Sequence, residues 1–202
     1  MPKICISGYF SPIFTIMTKT LLVIFSVLIS SLTSFAQDGW AAYMMPGEVH
    51  KQLAAYAVPN DWNVRMSVWS ADGVIPESFD LKGNIRTVMD GRFLEIRYTG
   101  EIMGMKYEAL THLGYNNLTK TFTHVDFNTF GTGFSIMEGT WNGFQKVASL
   151  KGQIQSPEDK KVIALRETIK FIGPDEIIFE MYDTRESQKE FKSLEFILSK
   201  RK

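Results

Sequence analysis

Residues Asp90–Tyr115 read DGRFLEIRYTGEIMGMKYEALTHLGY, and this stretch decides the fold. Leu94, Ile96 and Tyr98 alternate with Phe93, Glu95, Arg97 and Thr99, the period of two that an extended chain shows when one face is buried and the other wet. The alternation resets after Met103 at Gly104 and resumes from Lys106 to Tyr115. Glycine adopts the positive φ that a tight hairpin turn demands, so Gly104 is the turn position between two antiparallel strands.

The same period extends outward on both sides. Trp62, Val64, Met66 and Val68 share one face of a first strand, and Phe79, Leu81, Gly83 and Ile85 one face of a second running from Glu77 to Met89. Asp90 with Gly91 is a strong short-range turn signal between that strand and the hairpin. Downstream, Asn116–Thr119, Gly131 with Gly133, Asn142 with Gly143, SPEDK (156–160) and Gly173-Pro174-Asp175 separate further alternating runs, ending in EIIFEMYDT (176–184) and KEFKSLEFILSK (189–200). Asn117-Leu118-Thr119 matches a glycosylation acceptor but reads as a turn. About ten strands at ten-residue spacing, joined by short turns, predict an all-β, up-and-down antiparallel barrel. Ahead of it, Val49, Leu53 and Tyr56 or Ala57 recur at helical spacing between Pro46 and Pro59, predicting a short N-terminal helix of about ten residues that serves as a lid or plug. His50 on this helix reads as a solvated surface histidine.

The first 36 residues contain no acidic side chain, and Leu21–Leu32 is a nearly unbroken apolar run between Lys19 and the small residues Ser34 and Ala36. Such a run is too short for a transmembrane helix and has the form of a signal peptide cleaved before Gln37, with Met17 as an alternative start and 1–16 an over-extension. Residues 37–44 then form a linker and 45–202 the barrel domain. Cleavage leaves 166 residues with 20 basic and 22 acidic side chains. No basic cluster stands out before the terminal Lys200, Arg201 and Lys202, which argues against nucleic acid as a partner. The single cysteine, Cys5, lies in the leader, so disulfides, thiol nucleophiles and thiolate metal sites are excluded from the mature chain. An exported domain without disulfides fits a bacterial periplasm or the cell exterior.

DGRFLEIRYTGEIMGMKYE, LGYNNLTK, EGTWN, FEMYDT and KEF, with Gly91, Arg92, Phe93, Gly104, Gly114, Tyr115, Gly139, Glu180, Met181 and Tyr182 as the matching turn and strand positions, resemble an uncharacterised bacterial family of unknown function. The resemblance covers about Met45–Lys202 and implies a lipocalin-like, calycin-like barrel with no established activity. It further implies that Trp62, on the first strand, packs at the barrel base beneath a basic residue, Lys200 or Arg201. A clean glycine-x-tryptophan motif is missing.

Two constellations carry candidate chemistry. If the turn after Tyr115 centres on Leu118, His112 opposes His124, with Asp126 and Glu108 on the same face, a set compatible with zinc, iron or haem. A register shift of one residue sends the histidines to opposite faces; Tyr107, Ala109, Thr111 and Leu113 with Val125 and Phe127 then form the interior. Arg166 and Glu180, each flanked by apolar residues, are charges that a barrel can turn inward to orient a polar ligand, or alternate onto the outer wall. The candidate ligand-binding residues are therefore Trp62, Phe93, Tyr107, Tyr115, Phe127, Arg166, Glu180 and Tyr182, and the metal set is His112, His124 and Asp126. No phosphate loop, nucleophile elbow or helical zinc motif is present. The leading expectation is a binding module for a small apolar or amphipathic molecule, with no cofactor. The alternatives are a haem or metal protein or enzyme built on His112 and His124, and a filled barrel that binds a protein partner.

Overall fold

The computed structural model describes residues 39–57, 61–186 and 188–201. The chain divides into two units at Met44/Met45. Of the first unit, residues 39–44 are helical, with Trp40 and Tyr43 edge to face at 6.1 Å; the leader and the rest of the expected linker lie outside the described residues. The second unit carries a helix, α1 (Glu48–Ala54), and ten strands: β1 (Asp61–Val68), β2 (Glu77–Val88), β3 (Phe93–Ile102), β4 (Met105–Asn116), β5 (Thr121–Asn128), β6 (Ser135–Asn142), β7 (Val147–Gln155), β8 (Val162–Ile172), β9 (Glu176–Thr184) and β10 (Phe191–Lys200). Each strand pairs antiparallel with its sequence neighbours, and β1 also pairs with β10. The sheet is thus closed and has no free edge.

The quoted hairpin forms as its alternation predicts. Ile102 pairs with Met105, leaving Met103 (φ 52°) and Gly104 (φ 77°) as the two turn residues, both left-handed as this hairpin turn requires. Leu94, Ile96 and Tyr98 are buried in the lumen, while Phe93 and Arg97 face out. On β10 a bulge between Lys192 and Leu194 restores the phase, so Phe191, Leu194, Phe196 and Leu198 all stay on the inner face.

The interior is uneven along its axis. Around the start of β1, the inward side chains of Trp62, Ile85, Leu94, Leu113, Phe122 and Leu198 are fully buried and fill the lumen. Helix α1 caps this end: Leu53 and Tyr56 are buried, the Tyr56 ring lies 5.0 Å from Phe171, and its hydroxyl donates to Gly173 O at 2.6 Å. The plug role expected of the helix holds, though it is shorter than the spacing suggested, at seven residues. His50 is not a solvated surface residue. It is buried, its Nδ1 accepts from the Gly47 backbone N–H at 3.0 Å, and its ring meets Tyr115 edge-on at 6.2 Å. It occupies the third helical position, where a side chain reaching back to the N-cap amide completes half of a capping box. Burial lowers its pKa, against a backbone hydrogen bond with Tyr115 that raises it. Asn117 lies in a turn, as expected, and its amide donates to Met45 O at 2.8 Å.

Among the described residues no helix is long and apolar enough to cross a membrane.

Candidate functional site

The turn joining β4 to β5 decides what faces the lumen. Asn116 pairs with Thr121, and the Asn116 side-chain oxygen accepts from the backbone N–H groups of Leu118 and Thr119 at 2.9 and 3.2 Å. The turn therefore centres between Leu118 and Thr119 rather than on Leu118. That half-residue difference pairs Leu113 with His124 and His112 with Val125. The two histidines stand on opposite faces of the wall, and the expected metal set does not converge. Tyr107, Ala109, Thr111 and Leu113 face inward as the alternative register required, but on β5 the inward residues are Phe122, His124 and Asp126; Phe127 faces out.

His124 is the centre of the inner polar group. Its Nδ1 lies 2.6 Å from Glu167 Oε2, and the two residues are 4% and 2% exposed. Their strands, β5 and β8, are not neighbours, so the contact spans the inner surface of β6 and β7. In the register between them, Met137 follows His124, Gly152 follows Met137, and Leu165 follows Gly152. Gly152 must be small: a Cβ there would lie 2.6 Å from Ile136 O and 2.7 Å from Met137 Cγ. Burial pushes the His124 pKa down, but the Glu167 carboxylate, by charge and hydrogen bond and aided by Asp126, holds it above the usual value. Nε2 of His124 is buried and has no hydrogen-bond partner among the described residues. Beside it, Asp126 accepts from Thr111 Oγ1 at 2.8 Å and from Asn128 Nδ2 at 3.3 Å. Burial also pushes the Tyr98 and Tyr107 phenols well up, reinforced by Asp126.

These groups form one side of a cavity of about 240 Å³ in the half of the lumen that α1 does not cap. Its other walls are apolar and adaptable, with Met66, Met181, Leu194, Phe179 and Phe196. Phe130, on the β5–β6 connection, stands at its edge against Tyr107, with ring centroids 5.2 Å apart.

Of the residues expected to bind a ligand, Tyr107 alone lines this cavity. Trp62 and Tyr115 face inward but pack into the core, and the Lys200 amine lies 3.7 Å from Asp175. Phe93 is exposed. Arg166, Glu180 and Tyr182 are on the outer wall. The Arg166 guanidinium lies 3.9 Å over the Tyr182 ring and pairs with Glu190 at 2.7 Å; Glu180 bridges Lys170 and Lys192 at 2.6 and 2.7 Å. His112 pairs with Glu95 at 3.2 Å, alongside Arg86 at 2.7 Å.

Glu167 escaped the sequence reading although a signal for it existed. Ile163, Leu165, Ile169 and Phe171 form an otherwise apolar stripe at period two, and Glu167 interrupts it. A charge on the apolar parity of a strand is the inward one.

No curated protein matches the chain. Among solved structures, the crystal structure of Rv2717c from M. tuberculosis is similar with a TM-score of 0.52 at 14% identity, over 78% of this chain and 100% of that one, a likeness of fold. A redesigned beta barrel, b11L5F_LGL, aligns at 11% identity with a TM-score of 0.38, over 74% of this chain and 96% of that one. A family model covers residues 45–200, the whole barrel with its capping helix, and the chain belongs to that family, described as a protein of unknown function (DUF1579).

Proposed function

We propose that the barrel binds a small amphipathic molecule in its lumen and works outside the cytoplasm. The observation that supports the binding is the orphaned Nε2 of buried His124 in the polar wall of a cavity whose other sides are methionine, leucine and phenylalanine. A buried polar atom without a partner is costly, and a ligand's polar end removes that cost. An apolar pocket with a few convergent polar groups is the usual form of a small-molecule site. At about 240 Å³ the cavity suits a compact ligand, since one of about 150 Å³ accepts benzene.

Native mass spectrometry of protein purified from its own host, with solvent extraction, tests the binding. A co-purified small molecule is expected; ligand-free protein that also yields nothing on extraction overturns the reading. Intact mass tests export separately: the expected mature chain starts at Gln37, and a retained leader removes that part of the proposal.

A further inference from the structure

The cavity wall has an uneven charge inventory. Two carboxylates, Asp126 and Glu167, line it, together with the phenols of Tyr98 and Tyr107, the Thr111 hydroxyl and the Asn128 amide. Among the described residues no lysine or arginine lines it; the one basic group is His124. If the imidazole holds a proton, it offsets Glu167, its partner at 2.6 Å, and Asp126 remains uncompensated except by the neutral donors Thr111 and Asn128. If the imidazole is neutral, both carboxylates are uncompensated and Nε2 is a free acceptor. Glu167 is buried and Asp126 half-buried; a carboxylate withdrawn from water without a cation is costly, and in both states the balance of charge at the site is negative. The remaining wall presents aromatic rings, Tyr98, Tyr107, Phe130, Phe179 and Phe196, whose faces attract cations.

We propose that the cavity takes a small organic cation, a protonated amine carried on a compact apolar or aromatic body, with the ammonium between Asp126 and the His124 ring. This rests on the reading of the barrel as a small-molecule binder. The charges facing His124 are Glu167 from β8 and Asp126 from its own strand, with the phenols of Tyr98 on β3 and Tyr107 on β4 in the same wall. An arriving ammonium disfavours the imidazolium, whose Nε2 proton passes to solvent, and the freed Nε2 lone pair accepts a ligand N–H. Binding therefore releases protons and weakens as pH falls through the His124 titration.

The test is calorimetry on the purified protein with three probes of one shape: phenethylamine, 2-phenylethanol and 3-phenylpropionate. The amine is expected to bind at least about tenfold tighter than the alcohol, equivalent to ~1.4 kcal/mol, with the carboxylate weakest. Its binding heat should depend on buffer ionisation enthalpy in the sense of proton release. Asp126→Asn should collapse the amine-to-alcohol ratio; if that variant does not fold, the proton count in the unaltered protein decides. Equal or tighter binding of the alcohol or the carboxylate, or proton uptake with the amine, overturns the cation while leaving the barrel a binder. Failure of all three probes also overturns the cation; the barrel as a binder then falls only if the protein from its own host yields nothing on extraction.

Discussion

His124 and Glu167 meet at 2.6 Å across the inner face of two intervening strands, and this contact exists only because the sheet closes. It has a definite pH signature. The His124 pKa is raised above 6.5 by the Glu167 carboxylate despite burial. A histidine that binds its proton more tightly in the folded state adds stability below 6.5, and that contribution is lost as pH rises through the folded value. In Glu167→Gln, burial is opposed only by the Asp126 charge, and the His124 pKa should fall. NMR titration of the ring in both proteins reads the direction of the change. A His124 pKa that does not fall in the variant would refute the assignment.

His50 works in the opposite direction. Its pKa is lowered, chiefly by burial, so the unfolded chain binds its proton more readily and stability is lost as pH falls below 6.5. Protonation also removes the Nδ1 acceptor that Gly47 N–H uses. Glutamine at this helical position keeps an acceptor without titrating. His50→Gln should therefore flatten the acid limb of the stability curve, measured as denaturation midpoints across pH, and leave the alkaline limb alone.

The fold was legible in the sequence because it depends on local rules. Alternation set the strands, Gly104 and Asp90-Gly91 marked turns, and short connections implied sequential antiparallel pairing. The site was less legible for two physical reasons. Between β4 and β5 the interior residues hinge on where a turn centres within half a residue, and there Phe122-His124-Asp126 is a mixed stripe while Val125-Phe127 is apolar, so pattern alone pointed to the outer face. The His124–Glu167 contact joins strands that are neither sequential nor paired, and its geometry comes from the closure of the barrel. Arg166 drew attention as the charge among apolar residues, whereas its neighbour Glu167 has the inward parity.

The Arg166 cluster is therefore expected to be a surface feature. Arg166 and Glu190 have side chains 40% and 39% exposed, and exposed ion pairs contribute about 0–1 kcal/mol even when well aligned. Glu190→Gln should lower stability within that range, and Arg166→Ala, which also removes the stacking on Tyr182, should leave ligand retention unchanged. A variant at Arg166 that empties the protein of its co-purified molecule would return the site to the outer wall.

Gly152 tests the wall between the paired residues. Adding a methyl group there places it against Ile136 O at 2.6 Å, and backbone cannot yield as a flexible side chain can. Gly152→Ala should cost about 1–3 kcal/mol, the usual range for overpacking. The displacement should also reach Met137, the neighbour of His124 in the register. Urea denaturation reads the first effect and the His124 titration the second. An unperturbed variant would show that β6 and β7 are farther apart than described.

Filling the cavity separates its role in stability from its role in binding. Leu194 lines the cavity on the inner face of β10, between Val68 and Met181 in the sheet. A larger side chain there occupies space rather than displacing packed core, and cavity filling commonly adds about 0.5–2 kcal/mol. Leu194→Phe should therefore hold or raise the thermal midpoint while reducing co-purified ligand at least about tenfold, a loss equivalent to ~1.4 kcal/mol of affinity. The opposite pairing of results, lower stability with ligand retained, would mean that the lumen is already filled where Leu194 points and that the molecule binds elsewhere. The sign of the stability change thus reports whether this half of the lumen is hollow in solution, and the ligand content reports whether the hollow is used.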